Sequence, residues 1–168
     1  MLAALMRRAN GWMLMVVFVA AITTLPRIPY PWLVYNPSES VPVGFYWITP
    51  TESPKIGDLV LMQTPASVAG LADQRRYLPR HVPMLKYVAA LSGDRVCAWA
   101  DVISINGKPV AKRLARDHLG RAMPWWNGCK TLGTDDMFVL NPLAPLSFDG
   151  RYFGVVSTRL ILGKAGRL

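Results

Sequence analysis

A serine set just ahead of a stiff bend and a lysine inside an apolar run are the side chains of this sequence best suited to chemistry. Ser40 stands in "NPSESVPVGFYW", residues 36–47. Pro42 fixes φ and lacks an N–H, and Gly44 admits tight or left-handed geometry. A hydroxyl just upstream can therefore be turned off a sheet rather than into its ladder. A serine becomes a nucleophile only beside a base. Lys86 stands in "HVPMLKYVAALSGDRV", residues 81–96, where Met84 to Leu91 are apolar apart from Lys86 and the hydroxyl of Tyr87. On a strand Lys86 shares a face with Met84 and Val88. Burial of that face would deprive the ammonium of water, lower its pKa and make the neutral amine a usable general base. The competing arrangement is a lysine at a strand edge that snorkels to solvent, and spacing alone leaves both open. A Ser-His-Asp triad would have to recruit His81 or His118. Neither lies in a stretch resembling a catalytic loop, and no GxSxG elbow or Ser-x-x-Lys frame occurs. A Ser-Lys dyad is the economical variant of triad logic.

The elements that must position these residues read mainly as strands. The runs "GFYWIT", "GDLVLMQ", "MLKYVAAL", "RVCAWA", "VISING", "DMFVL" and "FGVVSTRLIL" are rich in β-branched and aromatic residues and are separated by Gly, Pro, Asn or Asp. Asn106-Gly107 between apolar flanks signals a hairpin. Only "PASVAGLADQRRYL", residues 65–78, suits a helix or a loop, and the stretch from 108 to 134 is irregular and polar. The expected architecture is a mainly β domain over 36–168 with a short loop-rich insertion at 97–134.

At 168 residues, with 52% hydrophobic and 17% charged residues, the chain can bury a core and is too apolar for disorder. Its apolar surplus lies at the start: after Arg7 and Arg8, residues 9–25 carry no charge. A helix there would span roughly 25 Å, about the lower limit for crossing a bilayer. A cleaved signal peptide needs a small-x-small site after the apolar run. Pro26 and bulky residues stand there instead, so the expectation is a retained anchor over 1–25 and a Pro-rich linker over 26–35. Arg7 and Arg8 place the N-terminus in the cytoplasm and the remainder across the membrane. The net charge of +9 favours anionic surfaces. The basic residues are scattered without interleaved aromatics, so no nucleic-acid partner is expected. Cys97 and Cys129 are too far apart for a CxxC pair, and the two histidines offer no metal set. Neither a metal nor a cofactor is expected. An exported domain permits a Cys97–Cys129 disulfide, which would contribute roughly 3–4 kcal/mol; two buried thiols are the alternative.

In order along the chain, "NPSESVPVGFYW", "GDLVLM", "MLKYVAALSGD" and "SFDGRYFG" resemble the type I signal peptidases, and within them the conjugal-transfer, TraF-type branch of pilin-maturation peptidases. The resemblance implies a signal-peptidase-like antiparallel β-sheet domain, preceded by one transmembrane helix, at the bacterial inner membrane with its catalytic part in the periplasm. It implies Ser40 as nucleophile, Lys86 as general base, Ser38 as an oxyanion-hole hydroxyl beside the Ser40 N–H, and Ser147 as the hydroxyl that orients Lys86. Asp149 and Arg151 match a supporting pair. The implied activity is cleavage of a membrane-inserted precursor, a pilin in the conjugal branch, beside a lipid bilayer and a secretion or conjugation machine. Cyclisation of the product would follow if the substrate's own amine resolves the acyl-enzyme. Departures from the housekeeping pattern are Gly150 in place of a serine, Ser92 in place of a proline before Gly-Asp, the shorter Ser40-Val41-Pro42 spacing and the reduced insertion. They favour the conjugal branch over a general signal peptidase. A non-catalytic envelope scaffold would have no need of Ser38, Ser40, Lys86 and Ser147 together.

Overall fold

Short runs of β-branched and aromatic side chains fit the pleated, half-buried surface of a sheet better than a helix. A computed structural model, which describes residues 32–168, forms them into two antiparallel sheets. In chain order the elements are β1 (Leu33–Asn36), β2 (Gly44–Thr49), β3 (Leu59–Met62), helix α1 (Ala66–Gln74), β4 (Met84–Ala90), β5 (Arg95–Trp99), β6 (Val102–Ile105), β7 (Lys108–Lys112), β8 (Gly128–Thr131), β9 (Asp136–Val139), the short helix α2 (Gly150–Phe153), β10 (Val156–Ser157) and β11 (Ile161–Arg167). The larger sheet runs β1-β2-β11-β3-β4-β9-β10 and the smaller β7-β6-β5-β8. The expected membrane helix lies outside the described residues, among which no helix is long and apolar enough to cross a membrane.

Three apolar clusters hold these layers. Val41, Tyr46, Ile48, Leu59, Leu61 and Leu85 pack beneath β2, β3 and β4. Met62, Met84, Met137, Val139 and Val156 form a second group around β4 and β9. Val96, Ala98 and Ile103 of the smaller sheet meet Phe138 and Leu140 in a third, which fastens the two sheets together. Asn106 and Gly107 make the turn of the β6–β7 hairpin, with φ of 52° and 78°, the two positive values of a type I′ turn.

Several elements differ from the expectation. Leu33–Tyr35, assigned to the linker, are strand, paired with Phe45–Trp47, because hydrogen bonding to β2 overrides the preceding prolines. The insertion is a sheet rather than loop: β7 and β8 lie inside the stretch read as irregular, and Cys97 stands opposite Cys129 in the β5–β8 register, where the two form a disulfide. The last expected strand, "FGVVSTRLIL", is broken into β10 and a 3-10 turn over Thr158–Leu160, and only its end opens β11, whose remainder "GKAGR" carried no strand signal. β11 is nevertheless an inner strand, paired with β2 on one side and β3 on the other. Gly163 explains the poor signal, since a Cβ there would come within 2.7 Å of Ile48 Cγ2 and of the Thr49 carbonyl oxygen. Close approach of backbones, not side-chain propensity, selects that residue.

Candidate active site

Ser40 lies in the turn between β1 and β2, whose ends meet at the Asn36–Gly44 pair. Two devices fix that turn. Val41 is 1% exposed and plugs the apolar cluster under the sheet, a burial worth roughly 1.5–3 kcal/mol. Asn36, itself buried, satisfies the turn's carbonyls: Nδ2 donates to Ser38 O at 2.7 Å, Val41 O at 3.0 Å and Pro42 O at 3.3 Å. Tyr46 adds its hydroxyl to the Pro42 carbonyl at 2.6 Å. The Ser38 hydroxyl lies 2.9 Å from Asn36 Oδ1 and 2.9 Å from Ser40 Oγ. A hydroxyl has one proton, so with Ser38 donating to Asn36, Ser40 donates to Ser38.

Lys86 projects from β4 opposite Val60 of β3 and is 4% exposed. Burial pushes its ammonium down from 10.5 to about 8, against the pull of the Asp149 carboxylate and with help from the Arg151 guanidinium. Of its three possible donor positions one finds a protein partner, Ser147 Oγ at 3.1 Å. A desolvated amine with a single hydroxyl partner suits a neutral base better than a stored charge. The snorkelling alternative is excluded by this burial.

Ser147 is delivered by the loop that follows β9, and Arg151 shapes that loop. Arg151, 1% exposed, grips Asp149 through Nε at 2.9 Å and Nη2 at 2.8 Å. It also donates to the carbonyls of Asn141 at 3.0 Å, Ala144 at 2.6 Å and Pro145 at 3.1 Å. Asp149, fully buried, caps α2 by accepting from Arg151 N and accepts from Asn141 N as well. A buried ion pair is tolerated when every remaining donor and acceptor is satisfied, and here the pair is the frame of the loop. Phe148, between Ser147 and Asp149, packs against Tyr77 with ring centres 5.3 Å apart and stacks on Tyr152 at 5.9 Å.

Gly150 now has a physical reason. A Cβ at this position would lie 2.6 Å from Phe138 Cε2 and 2.6 Å from the Val139 carbonyl oxygen, so the loop can press onto β9 only with glycine. The missing hydroxyl is the condition for this close packing.

The structure thus brings Ser38 to Ser40, Ser147 to Lys86 and Asp149 to Arg151. No hydrogen bond joins Ser40 to Lys86 among the described residues. Catalytic contacts are commonly longer in a resting site and shorten when substrate binds. Two asparagines went unnoticed in the sequence, Asn36 and Asn141. The Asn141 carboxamide donates to the Ser40 carbonyl. Both are followed by proline, and Asn-Pro is a turn signal that could have found them. No cluster of three or more His, Cys, Asp or Glu able to hold a metal forms among the described residues.

The family described as signal peptidase, peptidase S26, matches residues 5–168; the chain belongs to this family and is a serine peptidase of the signal-peptidase class. Within it the chain resembles conjugal-transfer proteins. It is 33% identical over 157 residues to the probable conjugal transfer protein TraF of Sinorhizobium fredii, covering 88% of this chain and 82% of that one. It is 28% identical over 131 residues to the plasmid transfer protein TraF of Escherichia coli, covering 73% and 74% respectively. A solved signal peptidase I of Enterococcus faecalis aligns at 21% identity with a TM-score of 0.40, over 67% of this chain and 97% of that one.

Proposed function

We propose that the chain is a membrane-anchored endopeptidase that uses Ser40 and Lys86 as a catalytic dyad to mature an exported precursor, a conjugative pilin in the first instance. The observation that carries this reading is Lys86: an almost fully buried lysine, held by one hydroxyl, with its pKa brought down to about 8. A buried amine whose pKa is brought down towards neutrality is the kind of group that serves as a general base. The neutral amine takes the Ser40 proton as Oγ attacks the scissile carbonyl. The oxyanion then accepts hydrogen bonds from the Ser40 N–H and from Ser38, whose hydroxyl leaves Asn36 to do so. Lys86 returns the proton to the departing amine, and water or a substrate amine resolves the acyl-enzyme. The pilin assignment rests on likeness to the conjugal-transfer relatives. The anchor at residues 9–25, with the domain on the periplasmic face, would keep the site near a membrane-inserted substrate.

The test is the mass of a pilin precursor co-expressed with wild type, Ser40→Ala or Lys86→Ala. The expected result is processing by wild type and none by either variant while both remain inserted. A product one water lighter than the linear peptide identifies cyclisation, and a linear product identifies hydrolysis. Unchanged processing by either variant removes the dyad.

A further inference from the structure

Two Asn-Pro pairs flank the chemistry, Asn36-Pro37 and Asn141-Pro142, and they fold alike. In each, the asparagine Oδ1 accepts the N–H two residues on, from Ser38 at 3.2 Å and from Leu143 at 3.1 Å. The intervening proline has no N–H to offer and holds its φ fixed, which favours this side-chain turn. With Oδ1 committed, the carboxamide cannot flip, and Nδ2 must face the other way. In both cases it faces carbonyls of the nucleophile's turn. Asn36 takes those of Ser38, Val41 and Pro42, and Asn141 takes that of Ser40 itself.

Asn141 differs from Asn36 in what stands behind it. It is 4% exposed, its N–H donates to Asp149 Oδ2 at 3.1 Å and its carbonyl accepts from Arg151 at 3.0 Å. Its backbone therefore belongs to the same clamp that sets Ser147 against Lys86, while its side chain reaches the residue that carries the nucleophile. Among the described residues this is the one hydrogen bond between the 37–43 turn and the 140–149 loop.

We infer that Asn141 is a positioning residue of the Ser-Lys site: its Nδ2 pins the Ser40 carbonyl, fixes the peptide plane that follows the nucleophile and sets the turn against the loop that holds Lys86. The inference rests on the dyad reading. Its cost if lost is alignment rather than binding, and a misplacement of about 1 Å can lower a rate by about 100-fold.

Asn141→Ser and Asn141→Ala separate this role from mere turn formation. A serine hydroxyl can still accept the N–H two residues on and keep the turn, but it is too short to reach Ser40; alanine does neither. The full chain in detergent is assayed on a peptide spanning the cleavage site mapped with the wild-type enzyme, with kcat and KM taken across pH and thermal unfolding followed in parallel. Ser40→Ala serves as the reference. The expected result is a fall in kcat of roughly 10–100-fold in both Asn141 variants, KM within about two-fold, and an unchanged pH midpoint near 8. Asn141→Ser recovers the unfolding temperature but not kcat. Should alanine prevent folding, the serine variant decides. Wild-type kcat in Asn141→Ser overturns the inference by reducing Asn141 to a turn former, and a moved pH midpoint overturns it by placing Asn141 in the environment of Lys86. Cleavage retained by Ser40→Ala overturns the dyad reading and this inference with it. Cleavage lost there but intact in both Asn141 variants overturns this inference alone.

Discussion

Ser40 sits in a solvent-facing turn whose carbonyls are tied by asparagine side chains, whereas Lys86 lies on an inner strand beneath a loop locked by a buried arginine–aspartate pair. On the proposed dyad Ser40 must meet a polypeptide and so needs access, and neutral hydrogen bonds worth about 1 kcal/mol each hold it without enclosing it. On the same reading Lys86 must release its proton well below 10.5, which takes dryness, and dryness requires packing that leaves no polar group unpaired. The two halves therefore answer opposite demands, and substitutions should separate them.

The largest effect is expected from Lys86→Met. On the proposed dyad its loss should lower cleavage by about 10²–10⁴-fold, while the protein becomes more stable at pH 7. The lowered pKa means that the charged form costs the folded state about 3 kcal/mol relative to the unfolded one. Between pH 8 and 10.5 the unfolded chain retains a proton on this lysine that the folded chain has released. Unfolding then takes up a proton, and stability rises with pH across that window and is flat below it. Melting curves from pH 6 to 11 should show this rise in wild type, a smaller one in Lys86→Met, and the wild-type slope in Ser40→Ala.

Next in size is Asp149→Asn. It leaves Arg151 charged and buried without its partner, a change that typically costs about 3–5 kcal/mol. Denaturant unfolding should show that loss, with cleavage failing as Ser147 and Asn141 are released together. The smallest is Gly150→Ser. The clash with Phe138 and Val139 should destabilise by about 1–3 kcal/mol, read from the same unfolding curves. A stability equal to wild type would show that the loop can lift off β9.

The legible part of this molecule was local. Ser40 announced itself through the Pro-Gly bend and Lys86 through an apolar run, and family resemblance supplied Ser38, Ser147, Asp149 and Arg151. The strands with β-branched and aromatic residues were visible for the same reason. What escaped depends on contacts distant in sequence. Gly163 and its neighbours make an inner strand because other backbones crowd it, and β8 pairs with β5 across a long insertion. The Asn141-Pro142 pair signalled a turn, but the bond of Asn141 to Ser40, 101 positions away, is encoded by no local pattern. Gly150 looked like a lost hydroxyl until the proximity of Phe138 gave it a reason.

The position of β11 has a consequence for assembly. It is the strand that joins the β1–β2 hairpin, whose turn carries Ser40, to β3 and through it to β4, which carries Lys86. Every side chain assigned to the chemistry has been synthesised by Arg151, yet residues 161–167 must still arrive before the sheet closes. Early and late segments pair directly, so loop-closure entropy is paid before the contacts that reward it, and such pairing is slow. The order of strands delays the coming together of serine and lysine until nearly the whole domain has been made.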